Sequence, residues 1–242
     1  MLTDFSDEKL VADFLDEHKN EDRDGNTKNW KLLLTEKEIN IINDYVANVI
    51  NKKFIGKNIV IASILKGAVY FTVDLTRRLT IPYSMYFLEA SSYKNKQTQS
   101  EELELELLSK IVPSKFEDKT VILIDELFDN GLTLHQVKNK LLDEVTTLRA
   151  TDIFTCVLFK KDKETKYPSP DLIGFDILPN VWVVGYGLDD KQEKRGWKHL
   201  FAVPKSDGIP KHLHDNLFDD SDYYKSLRSS IISYVSKLSD KA

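Results

Sequence analysis

The stretch VILIDELFDNGLTL, residues 121–134, decides the fold. With Thr120 it begins as a continuous apolar run, the pattern of a parallel strand covered on both faces. Two acids, Asp125 and Glu126, close that run; after two apolar residues come Asp129, Asn130 and Gly131. Residues 131–145, GLTLHQVKNKLLDEV, then carry helical spacing. A strand, a glycine-bearing turn and a helix place the turn beyond the carboxyl end of a strand, where open α/β sheets bind ligands. Gly131 permits close backbone approach and unusual dihedrals. The amides of residues 130–133 then point outward at the positive end of a helix and form a seat for an anion, phosphate being the usual guest. Thr133 adds a hydroxyl, and the acids before it suit Mg²⁺ or the hydroxyls of a sugar. Together they describe a ribose-phosphate binder. The turn is not a P-loop, which needs glycine at both ends and lysine before Ser/Thr, nor a three-glycine dinucleotide fingerprint.

The rest of the chain fits this centre. NIVIASIL (58–65), PYSMYFLEA (82–90), DIFTCVLF (152–159), VWVVGYGL (181–188) and HLFAV (199–203) read as strands. Helical spacing runs through 68–79 and through 35–52, where Thr35 and Glu38 make a capping-box pattern. A short helix is expected at about 6–17, a loop at 18–29 and a final helix at 221–238. LELELL (103–108) alternates strictly and reads as extended, within a flap at about 91–118. Strand and helix alternate, so the expected fold is α/β: a mainly parallel central sheet flanked by helices, with a small hood or flap region. The expected division is an N-terminal extension at 1–34, one domain at 35–205 and a C-terminal extension with a helix at 206–242.

Bulk composition sets limits on function. With 242 residues and 41% hydrophobic content, the chain builds a sizeable core. Its net charge of −5, without a sustained basic run, asks for neither nucleic acid nor an anionic membrane as partner. Cys156, the one cysteine, lies in the apolar run IFTCVLF and reads as a buried small hydrophobe, with no disulfide possible within the chain. The N-terminus MLTDFSDEKL has acids where a signal peptide has a basic start, and no apolar run approaches the roughly 20 residues of a spanning helix. A cytoplasmic protein is expected. The five histidines show no metal spacing, and HLH at 212–214 reads as a surface loop.

VILIDELFDNGLTL resembles the phosphoribosyl-diphosphate signature of the type I phosphoribosyltransferases. SILKG (63–67) is similar to the family's diphosphate loop, and Ser92 and Tyr93 to the pair in its flexible loop. LFKKD (158–162) carries a lysine where purine enzymes read their base. VWVVGYGLDDKQEKRGWKHL (181–200) resembles the purine-binding tail of hypoxanthine-guanine phosphoribosyltransferases. The resemblance covers about residues 55–203, in matching order.

The family joins a purine N9 to C1′ of phosphoribosyl diphosphate and expels diphosphate through an oxocarbenium-like transition state. The resemblance implies that Asp125 and Glu126 face the ribose hydroxyls or the Mg²⁺ shell, in the order opposite to the usual Glu-Asp. Asp129 is implied as general base or proton partner near N7, and Asn130, Gly131, Leu132 and Thr133 as the cradle of the 5′-phosphate. Asn130 stands where Thr or Ser is common. Lys66 and Gly67 are implied to bind diphosphate, after a peptide that is often cis in the family. Ser92 and Tyr93 would close over the reacting centre to keep water out. Trp182 is implied to stack on the purine, Val183 to read it through its backbone, and Asp189 to bind a second Mg²⁺. Arg195 would hold diphosphate, and Lys160 would donate to the purine O6. A 6-oxopurine accepts there whereas adenine's amino group donates. The implied substrates are hypoxanthine or guanine, with xanthine a further candidate, and relatives commonly form dimers or tetramers. A non-catalytic nucleotide-binding relative, and a type I enzyme using another base, are the alternatives.

Overall fold

The structure is a computed structural model that describes residues 5–19, 26–92, 103–107, 116–148, 152–205 and 211–241. The chain divides into two compact units, Asn43–Leu178 on the one hand and Met1–Ile42 with Pro179–Ala242 on the other. Among the described residues no helix is long and apolar enough to cross a membrane.

In order along the chain, α1 spans Phe5–Glu17, β1 Lys31–Leu34, α2 Glu36–Lys53, β2 Ile59–Leu65 and α3 Val69–Thr76. They are followed by β3 (Tyr83–Ser92), β4 (Leu103–Leu107), β5 (Thr120–Phe128), α4 (Leu132–Leu148), β6 (Asp152–Lys161) and β7 (Leu172–Leu178). The chain ends with β8 (Trp182–Val184), β9 (Leu200–Val203), α5 (Lys211–Asp219) and α6 (Ser221–Ser239).

The unit Asn43–Leu178 is built on a six-stranded sheet of order β4-β3-β2-β5-β6-β7. Every pair is parallel except β3–β4, where Ser92 lies opposite Leu103. The apolar runs of β2 and β5 sit side by side, Ile59 to Ser63 against Thr120 to Ile124, and are buried throughout. Such two-face burial is why those strands read as continuous apolar runs rather than alternations. Val60, Ala62, Val121, Leu123 and Val157 form a core with Leu134, Val137 and Leu141 of α4. Cys156 is fully buried in β6, as expected, and burial pushes its thiol pKa up.

The second unit holds a three-stranded antiparallel sheet of order β1-β9-β8. Phe14, Trp30, Leu32, Val184, Trp197, Phe201 and Val203 form its core. The capping box is present: Glu38 accepts from the Thr35 amide at 2.7 Å, and the Thr35 hydroxyl accepts from the Glu38 amide at 3.2 Å. Asp220 caps α6 by accepting from the amides of Asp222 and Tyr223.

Four local expectations need correction. Only Trp182–Val184 of the stretch 181–188 is strand, because Gly185 and Leu188 close a tight hairpin with Tyr186 and Gly187 at φ 48° and 101°. HLH at 212–214 lies in α5 rather than a loop. LIGFDIL forms β7, and residues 31–34 form β1, where no element was expected. Within the flap expected at 91–118, residues 103–107 are extended, as the alternation of LELELL indicates, and pair with β3 at the edge of the main sheet, while 93–102 and 108–115 lie outside the described residues.

Candidate active site

The turn after β5 assembles the acids. Asp125, last of the buried run, is 8% exposed, and one of its oxygens accepts from the Glu126 amide at 3.0 Å. Burial first, and then the neighbouring charge of Glu126, raise the Asp125 carboxyl pKa well above its ordinary value. Gly131 adopts φ +84°, and a Cβ there would lie 2.6 Å from Phe128 Cζ and 3.0 Å from Tyr167 Cβ. The left-handed backbone and the close approach both demand glycine. The Asn130 side chain turns back on the helix, its Oδ1 accepting from the Leu132 amide at 2.9 Å. It thus satisfies one of the donors that every helix start leaves unpaired. Thr133 follows in the first turn of α4, partly exposed.

Across the sheet, the Leu65–Lys66 peptide is cis. The turn it opens brings Gly67 so close to Glu126 that a Cβ would sit 1.8 Å from Glu126 Oε1. Lys66 is exposed beside it. This contact brings the loops that follow β2 and β5 together at one carboxylate.

Asp129 is held by two lysines. Lys161 Nζ lies 3.3 Å from its Oδ2, and Lys163 is ion-paired with its Oδ1. Burial works to raise the Asp129 pKa, but the Lys163 hydrogen bond and the charges of both lysines outweigh it, and the carboxyl falls below its usual value. Lys161 is itself 7% exposed, and burial lowers its pKa despite the opposing pull of Asp129. Lys160, one residue earlier in β6, is half-buried opposite Phe128 and makes no ion pair among the described residues. Ser92 ends β3, its side chain outside the described residues, as is all of Tyr93.

The remaining candidates lie in the second unit. Val183 is buried and pairs with Ala202, while Trp182 is 42% exposed. Lys205 Nζ stands 4.6 Å over the Trp182 ring and 2.5 Å from Asp190. Gly187, Lys191 and Gln192 all have positive φ, and this winding chain brings Asp189 and Arg195 together. The guanidinium of Arg195 is 2.7 Å from Asp189 Oδ1 and donates to the Gly187 carbonyl at 2.8 Å. Asp189 Oδ2 accepts from the Gln192 amide at 2.7 Å, so both of its oxygens are engaged.

Residues 29–191 match the phosphoribosyl transferase domain model. The chain belongs to the phosphoribosyltransferase family. It is 30% identical over 177 residues to the hypoxanthine-guanine phosphoribosyltransferase of Aquifex aeolicus, covering 73% of this chain and 96% of that one. The Dictyostelium discoideum hypoxanthine-guanine phosphoribosyltransferase is 30% identical over 175 residues, 70% of this chain and 93% of that protein. The solved Trypanosoma cruzi hypoxanthine phosphoribosyl transferase aligns with a TM-score of 0.63 and 30% identity, over 72% of this chain and 90% of that one.

In this phosphoribosyltransferase the turn residues Asp125 to Thr133 and the loop at Lys66–Gly67 stand on neighbouring parallel strands, at their carboxyl ends. Sequence reasoning missed Lys161 and Lys163 as partners of Asp129, and Lys205 as partner of Trp182. The lysines at 160, 161 and 163 offered only a basic cluster, and nothing local marks which of them turns toward the acid.

Proposed function

We propose that this phosphoribosyltransferase joins a 6-oxopurine to phosphoribosyl diphosphate, giving the nucleoside 5′-monophosphate and diphosphate. Hypoxanthine and guanine are the substrates, with xanthine a further candidate. The observation that carries this is the acid turn: Asp125, Glu126 and Asp129 grouped ahead of Gly131 and the first turn of α4.

The 5′-phosphate takes the free end of that helix, where the dipole and the Thr133 hydroxyl favour an anion. Asn130 already engages the Leu132 amide, so the neighbouring amides of the first turn provide the seat. Asp125 and Glu126 grasp the ribose hydroxyls. Lys66 and Gly67 take the diphosphate, with Arg195 as a second cation for it. Trp182 offers its ring, and Val183 its backbone, to the base. Lys160 donates to O6, and Asp129 takes the proton that N7 gives up. Ser92 and Tyr93 complete the exclusion of water.

The chain's acids also fit Mg²⁺. Among the described residues no group of three or more His, Cys, Asp or Glu could hold a metal alone. Mg²⁺ in such enzymes is bound by one or two carboxylates together with substrate phosphates. Asp125, buried beside Glu126 and pushed toward protonation, is a hard oxygen donor whose charge a divalent cation would stabilise. Asp189 is the corresponding candidate in the second unit, its Oδ1 shared with Arg195. When bound, the ion neutralises charge on the departing diphosphate.

Purified protein supplied with Mg²⁺, phosphoribosyl diphosphate and each base in turn tests the function by absorbance. Turnover is expected with hypoxanthine and guanine and poor turnover with adenine. Nucleotide binding without turnover of any base would make the chain a non-catalytic relative instead. Gly67→Ala is expected to raise the KM for phosphoribosyl diphosphate about tenfold, ~1.4 kcal/mol, because the new methyl displaces Glu126 or the loop. Initial rates at saturating base measure it.

The reading includes a homodimer or homotetramer in the cytoplasm, with a catalytic domain at 35–205 between extensions at 1–34 and 206–242. The Trypanosoma cruzi structure was solved in connection with the role of its C-terminal region in oligomeric state and enzymatic activity, which supports looking for assembly there.

A further inference from the structure

A short turn builds the clamp on Asp129. Lys161 is the last residue of β6, and the Lys163 amide returns to the Lys161 carbonyl at 2.9 Å. The Asp162 amide between them is held by the Leu178 carbonyl at 2.6 Å. Both lysine side chains therefore reach one carboxylate, Lys161 at Oδ2 and Lys163 at Oδ1. Lys163 lies just beyond the stretch LFKKD that resembles the family, and the resemblance gives it no role. An ionised carboxylate offers about four lone-pair positions, so two ammonium groups leave acceptor sites open for a substrate N–H.

We propose that Lys163 is a positioning residue for the phosphoribosyl transfer: it fixes the Asp129 carboxylate in one orientation and keeps it ionised to receive the purine's N7 proton. This rests on the reaction proposed above. In the tautomer that attacks through N9, N7 carries hydrogen. As the N9 lone pair forms the bond to C1′, the C1′–O bonding pair leaves with diphosphate. The ring, now cationic, loses its N7 proton to Asp129 and returns to neutrality. N7–H becomes strongly acidic along this path, so a charged, well-placed acceptor serves better than a strongly basic one. A half-buried Asp129 without Lys163 would have burial raising its pKa against only the charge and hydrogen bond of Lys161.

The charged groups that act on Asp129 among the described residues are these two lysines. On β5, Asp125 and Glu126 act on each other. On α4, His135 faces the Tyr167 ring at 5.0 Å and the Asn139 amide at 3.0 Å.

The test follows kcat/KM for hypoxanthine across the acid and neutral range in the wild type, Lys163→Met and Lys163→Arg. In Lys163→Met the acid limb is expected to move up by about one pH unit, while Lys163→Arg stays with the wild type. A purely structural lysine would change the height of the profile and leave its limb in place. The carboxyl-carbon titration of Asp129, assigned with Asp129→Asn, reads the same shift by NMR without turnover. Profiles and carboxyl titrations of Lys163→Met that overlie the wild type would overturn the inference. A wild type that turns over no base would sink the reaction itself, and the carboxyl titration would still show whether Lys163 holds the charge of Asp129.

Discussion

Asp129→Asn is expected to lower kcat/KM for hypoxanthine by about 10²–10⁴-fold, the range for loss of a proton-transfer group. The side chains are near-isosteric, so shape survives while the negative charge goes. Two consequences follow from the clamp. On the proposed mechanism the N7 proton loses its acceptor, and Lys161, buried at the end of β6, loses the charge that offsets its burial. Asp129 raises the Lys161 pKa, so its removal lets that pKa fall further and favours a neutral amine. Nucleotide affinity is expected to change far less than turnover, because the turn at Gly131, proposed above as the phosphate seat, is untouched. Single-turnover rates and nucleotide titration, run on protein with an unchanged far-UV spectrum, separate the two effects. A variant that keeps most of the wild-type rate would remove Asp129 from the proton path.

The candidate site was legible in the sequence where the chemistry is local to one turn. Asp125 through Thr133 are contiguous, and a strand, Gly131 and a helix fix their relative places. The same holds for SILKG, since β2 runs parallel to β5 and both loops leave the carboxyl end of the sheet. Partners distant in sequence were hidden. Lys161 and Lys163 reach Asp129 across 32 residues in the case of Lys161, through a turn whose direction no residue pattern announces. Strand alternation alone cannot choose between Lys160 and Lys161, because a one-residue shift exchanges the faces. Lys205 over Trp182 likewise depends on the antiparallel register of β8 and β9.

The fold followed the same division. β2, β5 and β6 are buried on both faces and announced themselves as unbroken apolar runs. α2 carried its start signal in Thr35 and Glu38. What escaped was short or mixed in character. β1 is four residues long and is a strand because β9 lies beside it, Lys31 opposite Ala202. β7 interrupts its apolar pattern with Gly174 and Asp176, and it is stabilised by pairing with β6. α5 buries only Leu217, too little to give a helical stripe. Tertiary pairing, rather than intrinsic preference, decides such elements.

Arg228→Met is expected to cost about 3–5 kcal/mol of stability, the range for stranding one member of a buried ion pair. Arg228 of α6 and Glu38 of α2 are 4% and 1% exposed. The guanidinium donates to both Glu38 oxygens, at 3.2 and 3.3 Å, and to the Leu33 carbonyl at 2.6 Å. Glu38 is at the same time the acid of the capping box, accepting from the Thr35 amide and hydroxyl. One carboxylate thus joins the start of α2, the end of β1 and the face of α6, and its charge has no water to turn to once Arg228 is gone. For a chain of this size the loss corresponds to roughly 6–20 °C in Tm. Arg228→Lys is expected to recover little, because a lone ammonium cannot span both oxygens and the carbonyl as the planar fork does. Removing both charges, in Glu38→Leu with Arg228→Leu, discards the desolvation cost along with the attraction, so the double variant is expected to be more stable than Arg228→Met. Calorimetric melting of the four proteins measures these differences. Equal melting of Arg228→Met and the wild type would mean that the pair is solvated in solution and holds nothing together.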